Sequence, residues 1–186
     1  AGGSLGYAPQ QPTIAGVSGA LLGIGFDAYG NAYQKPFAGA DCSDSNYQDV
    51  DPNDNNNSRR SLVVRGAQGA DRMNGYCQVA TANDRVVNGR NYGVPLPDTM
   101  FTLTGMAARI VIDPQDTNGG TYARGTIRIY LAPANTSNWS EVTRLQIPVE
   151  LANSPTFKFG FVAGTGGGTM NADLWSPTVE TVHQLN

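Results

Sequence analysis

The chain has 186 residues, of which only 15% are charged and 23 are glycine, and its net charge is −3. That length fills one ordinary hydrophobic core, so a single domain over residues 1–186 is expected. Lys35 and Lys158 are the only lysines and the arginines are scattered, which excludes a protein that grips nucleic acid by neutralising its phosphates.

Good helix formers are thin, while Gly, Asn and Thr are plentiful, a composition that favours an all-β domain with many turns. No apolar run is long enough to span a membrane. The chain begins with neither Met nor a signal sequence, and so reads as mature, processed or cut.

In chain order, "GALLGIGFD" (19–27) and "SLVVRG" (61–66) are the first strands expected, and "GYCQVAT" (75–81) is a weaker third. Between the first two lies "DCSDSNYQDVDPNDNNNSRR" (41–60), a polar loop of a length that is uncommon unless functional, disulfide-tied or disordered. Residues 84–97 read as a second irregular connection.

The second half alternates with period two. In "AARIVID" (107–113), Ile110 and Ile112 are expected to point inward; in "RGTIRIYLA", Ile127, Ile129 and Leu131 share one face. In "VTRLQIPVEL", Leu145, Ile147, Val149 and Leu151 alternate with polar positions. Pro148 cannot donate to a ladder, which places that strand at an edge or gives it a bulge. "TFKFGFVA" adds Phe157, Phe159 and Phe161 on one face. No amphipathic helix and no internal repeat stands out, and an antiparallel β-sandwich is the fold expected.

Cys42 and Cys77 belong to no CxxC pair, which argues against zinc. They form either one disulfide closing a long loop, as suits an exported protein, or two buried thiols. The sequons at Asn56, Asn135 and Asn138 are short matches of a kind that arises by chance.

Catalytic signatures fail in turn. "GVSGA" around Ser18 lacks the second glycine of a nucleophile elbow, and "GTGGGT" (164–169) is not followed by the Lys-Ser/Thr of a phosphate-binding loop. His183 is the only histidine, so neither a His-dependent triad nor a multi-histidine metal site is available. A glycosidase needs two carboxylates facing one sugar, but Asp27 has Gly25 where the second would stand, and Asp113 and Glu150 lack partners at that spacing. An enzyme is therefore not expected. Oxygen-rich loops instead suit calcium, a hard cation. One such loop is Asp27-x-Tyr29-x-Asn31, with Asp41 or Asp44 in range; the other is "DVDPNDNNN" (49–57), which lacks the central Gly and terminal Glu of an EF-hand and reads better as a solvated loop.

In order along the chain come "GGSLGYA" (2–8), "GIGFDAYGN" (23–31), "ARIVID", "GTIRIYL" and "FGFVAGTGG" (159–167). This succession resembles the L-type (legume-type) lectin domain of the concanavalin A-like superfamily, and its bacterial surface-protein branch in particular. The resemblance implies a jelly-roll sandwich with a sugar site in loops above a metal. It makes Asp27 the metal-bridging aspartate, with the Tyr29 main-chain carbonyl and the Asn31 side chain as calcium ligands. Asn31 would also meet the sugar, Thr165, Gly166 and Gly167 would offer backbone N–H groups to its hydroxyls, and Gly3 and Ser4 would close the other side.

Three departures qualify this. Gly25 stands where the family has a transition-metal glutamate, so calcium is expected without manganese. The fourth metal aspartate has no match at its spacing, leaving Asp41 and Asp44 as candidates. The strands that precede "GGSLGYA" in the family, with their sugar-reading aspartate, have no counterpart, so the chain resembles the C-terminal part of such a domain. The function implied is calcium-dependent carbohydrate binding by a secreted or cell-surface domain, an adhesin-like role, with a glycan as partner. Another chain or a cleaved fragment would complete the sandwich. The alternative is a structural subunit of a surface filament, with strands supplied by another chain and the sugar site decayed.

Overall fold

The computed structural model describes residues 4–10, 13–27, 32, 37–42, 61–79, 86–87, 90–91, 94–95, 105–164 and 177–180. The strands among them are β1 (Gly23–Asp27), β2 (Ser61–Arg65), β3 (Val86–Val87), β4 (Arg90–Asn91), β5 (Val94–Pro95), β6 (Met106–Asp113), β7 (Thr126–Pro133) and β8 (Ser140–Gln146). A single helical turn, α1 (Val149–Ala152), follows. Every pairing is antiparallel: a sheet ordered β1-β2-β5, a second ordered β6-β7-β8, and a small β3-β4 ladder. Residues 84–97, expected to be irregular, thus supply three short strands.

The two three-stranded sheets share one core. Ile24 lies opposite Val64 and Phe26 opposite Leu62, so these four side chains project from one face of the first sheet. They join Ile127, Ile129, Leu131 and Leu145 from the second sheet, with Ile147 and Leu151. Strand β7 is central, and its alternation behaves as expected: Ile127, Ile129 and Leu131 are buried. Thr143, opposite Ile129, is also fully buried in this core. The register between β7 and β8 slips at Ile129/Tyr130.

Three expectations are corrected. Strand β8 does not run through to Leu151. It stops at Gln146, and Pro148 instead caps α1, its carbonyl accepting from Ala152 N–H at 2.9 Å. Proline's fixed φ suits the start of a helix as well as it ends a ladder. Helical spacing then buries Leu151, four residues after Ile147, and leaves Val149 exposed.

Second, residues 156–164 belong to no strand or helix, and Phe157, Phe159 and Phe161 are 57%, 62% and 64% exposed. Third, Ile110 and Ile112 lie opposite Ile129 and Ile127, which puts them on the core side of the sheet, yet both are exposed. Among the described strands β6 is at the sheet's edge, and the core cluster does not extend to Ile110 or Ile112. The segment 75–79 is also less than a strand: it meets residues 64–68 through isolated bridges and single bonds, such as Val79 N–H to the Val64 carbonyl at 2.9 Å.

The loop from β6 to β7 is built by its aspartates. Asp113 accepts from the N–H groups of Gln115 and Asp116, and Asp116 accepts from Asn118 N–H and from the Thr126 hydroxyl. Asp113, without a partner at strand spacing in the sequence, is therefore a turn cap. These bonds, first the one from Asn118, hold the Asp116 carboxyl below the usual range. On the outer face of the same sheet, Arg144 grips Glu141 through two bonds of 2.9 Å and lowers its pKa.

Candidate functional site

The candidate site grows from the far end of β1. Gly23, Gly25 and Asp27 lie on the face of the first sheet opposite the core, beside Arg65 and Val63 of β2. The N-terminal segment lies on this face. A side chain at Gly25 would put its Cβ 2.6 Å from Leu5 Cδ1, and one at Gly23 would meet the Tyr7 ring at the same distance. The glycines make room for Leu5 and Tyr7 to sit directly on the strand. Gly25 thus has a packing reason of its own, independent of the glutamate that the lectin resemblance places there. Because Leu5 covers Gly25 and Tyr7 covers Gly23, the segment runs along β1 with its Ser4 end toward Asp27. Ser4 is buried, as is Asp27.

Asp27 turns the chain back on itself. Its Oδ2 accepts the backbone N–H of Ala32 at 2.7 Å, and Ala32 packs with Val63 and Leu5. The Ala32 carbonyl accepts a bond from the Arg65 guanidinium, whose other terminal nitrogen donates to the Tyr76 carbonyl at 3.0 Å. Arg65 is itself buried, at 3% exposure. Ala32 is therefore held on both sides, by a carboxylate at its N–H and by a guanidinium at its carbonyl.

Tyr7 and Tyr76 brace the same face. Their rings meet edge to face, with centroids 5.6 Å apart. The Tyr7 hydroxyl donates to the Gly66 carbonyl and the Tyr76 hydroxyl to the Val17 carbonyl. Burial raises both phenol pKa values; at Tyr7 the neighbouring Tyr76 adds to the rise and Arg65 opposes it.

Cys42 and Cys77 are joined by a disulfide between positions 35 apart in sequence. Asp41 stands beside it, and its carboxylate accepts a bond from Gly75 N–H. Gly75 has a φ of +77°, and a Cβ there would lie 2.1 Å from Gly69 N, so only glycine fits this crossing. Asp41, Cys42 and Cys77 form the one group of three metal-ligand-type side chains among the described residues, and its two sulfurs are already bonded to each other. Asp41 thus serves the disulfide junction.

Of the residues singled out for calcium and sugar, Asp27, Asp41 and Ser4 are described. Tyr29, Asn31, Asp44, Gly3, Thr165, Gly166 and Gly167 lie outside the described residues, as do most of the loop 41–60 and His183. Sequence reasoning missed Arg65, which reads as one outward residue of a strand, and missed the glycine–tyrosine stacking. The spacing of Gly23 and Gly25, two small residues on one face of a strand, was the available signal for something lying across it.

Among the described residues no helix is long and apolar enough to cross a membrane. Comparison with family models, curated proteins and solved structures found no match for this chain.

Proposed function

We propose that this chain is a carbohydrate-binding domain with a lectin-like sandwich fold, secreted or displayed at a cell surface, and that its site lies at the Asp27 end of β1. One observation carries this reading: a buried aspartate closes the last residue of a strand onto the returning chain at Ala32, with the Ser4 end of a glycine-rich segment running toward it. A buried carboxylate supplies hard oxygen donors of the kind that suit calcium. In this reading Asp27, the Tyr29 carbonyl and the Asn31 side chain hold calcium, with Asp44 as a further ligand. The sugar meets Asn31, Gly3, Ser4 and the backbone of Thr165, Gly166 and Gly167. Asp41 contributes less, because its carboxylate is engaged at Gly75. The domain acts by binding rather than catalysis, and the Cys42–Cys77 disulfide is compatible with an oxidising location.

Calorimetric titration with a glycan panel, with and without a chelator, tests the reading. Binding that disappears on chelation and in Asp27→Asn, while thermal unfolding stays cooperative, is the expected result. Failure of every glycan to bind calcium-loaded protein overturns it.

A further inference from the structure

From Ala108 to Asp113, the second sheet ends in an edge that no other described strand covers. Strand β6 is eight residues long and has β7 as its one neighbour among the described strands. It contains no proline and no lysine, and Ile110 and Ile112 are 44% and 38% exposed on its core side. Its arginine does not shield the edge, because Arg109 lies over the Trp139 ring, 4.3 Å from the centroid, on the opposite face. Proteins ordinarily blunt such an edge with charge, proline or a covering element.

The same chain carries a segment suited to that edge. Residues 156–163, "TFKFGFVA", have a strand's alternation without a strand partner among the described residues, and Phe159, Phe161 and Val162 are more than half exposed. In the chain this segment follows α1 and β8, and β8 is the strand at the other end of the sheet from β6. It ends against the N-terminal segment, where Gly6 lies next to Val162 and Ala163. Edge and segment are different surfaces of one chain, so contact between them in two copies is heterologous, head to tail.

We propose that the edge of β6 accepts residues 158–163 of a second copy of this chain as an added antiparallel strand. The register that fits places Lys158 opposite Asp113, Phe159 opposite Ile112, Phe161 opposite Ile110 and Ala163 opposite Ala108. Opposite charges then pair at one end, and two aromatic side chains cover the two exposed isoleucines. Asp113 pairs with Arg128 at 3.7 Å and still keeps 35% side-chain exposure, so an incoming lysine would join that pair. Backbone bonds along the edge supply affinity, and the phenylalanines extend the uncovered core. This assembly role is independent of the carbohydrate site, because no residue of the Asp27 loop takes part.

Two single variants test it, each at an exposed position. Ile110→Lys blocks the acceptor edge and leaves the donor intact; Phe161→Lys does the reverse. Light scattering over a concentration series is expected to show the wild type growing beyond a monomer, each variant alone monomeric, and an equimolar mixture forming a one-to-one dimer. A chelator is expected to leave all three results unchanged. As a second measurement, Ile110→Cys mixed with Phe161→Cys is expected to give an intermolecular cross-link under mild oxidation, whereas Ile110→Cys mixed with Val149→Cys is not. A wild type that stays monomeric overturns the proposal. So does self-association that Ile110→Lys leaves intact, or cross-linking that is equal in the two mixtures.

Discussion

Asp27 and Arg65 hold the two sides of one residue: the carboxylate accepts the Ala32 N–H and the guanidinium donates to the Ala32 carbonyl. Both side chains are buried, and they lie on the outer face of the β1–β2 ladder. The return of the chain after β1 is therefore fixed by charge-assisted bonds, which are the stronger kind. Replacing Arg65 by Met should strip the Ala32 and Tyr76 carbonyls of a donor and destabilise the domain by about 3 kcal/mol. Denaturant unfolding measures this, and a loss below about 1 kcal/mol would show that the clamp contributes little.

The two glycines of β1 should differ. A Cβ at Gly23 meets the ring of Tyr7, which is held by its bond to Gly66 and by Tyr76. A Cβ at Gly25 meets the end of Leu5, a flexible side chain able to rotate away. Gly23→Ala is expected to cost about 2–3 kcal/mol and Gly25→Ala about 1 kcal/mol. Thermal melts of the two variants check the order, and equal costs would refute it.

Thr143 is fully buried opposite Ile129, and its hydroxyl has no hydrogen-bond partner among the described residues. A buried polar atom without a partner is costly, and valine has nearly the same shape. Thr143→Val should raise stability by about 1 kcal/mol, read as a higher unfolding midpoint with an unchanged slope.

Alkaline pH should weaken the N-terminal packing. Tyr7 and Tyr76 have raised pKa values in the fold, chiefly through burial. A raised folded pKa means that the protonated form is favoured by folding, so its contribution is whole below the unfolded phenol value of about 10 and fades as pH climbs above it. Stability followed from pH 8 upward should fall beyond about pH 10, and less steeply in Tyr7→Phe. At the acid end Asp116 and Glu141 act with the opposite sign: their lowered pKa values support the fold above the ordinary carboxylate range and cease to do so as pH falls below it.

Reduction of Cys42–Cys77 opens a loop between positions 35 apart in sequence. Chain-entropy arithmetic for a loop of that size gives about 4 kcal/mol. Unfolding with and without reductant should show a loss of that order, and Cys42→Ser with Cys77→Ser should reproduce it.

Much of the second sheet was legible beforehand. Strand β7 has a neighbour on each side and an opposing sheet, so its alternation maps directly onto burial at Ile127, Ile129 and Leu131. The same alternation misleads at Ile110 and Ile112, because period two states which face a residue occupies and not whether anything lies over that face. The Phe157–Phe159–Phe161 row fails at an earlier step, because residues 156–164 form no strand. At the candidate site Asp27 was legible as a strand-end carboxylate, while Arg65 was not, since its partners are the carbonyls of residues distant in sequence.

By itself the sequence determined the predominantly β character, the strands β1, β2, β6 and β7 and most of β8, but not where the last of them stops. These follow from local propensity and periodicity, which act within a few residues. Only the tertiary structure decided that the two cysteines join, that Gly25 is small because Leu5 rests on it, and that Arg65 and Asp27 meet through Ala32. It also decided that Ile110 and Ile112 of the edge strand are left exposed. Each of these depends on contacts across dozens of residues, where chain geometry rather than local pattern brings the atoms together.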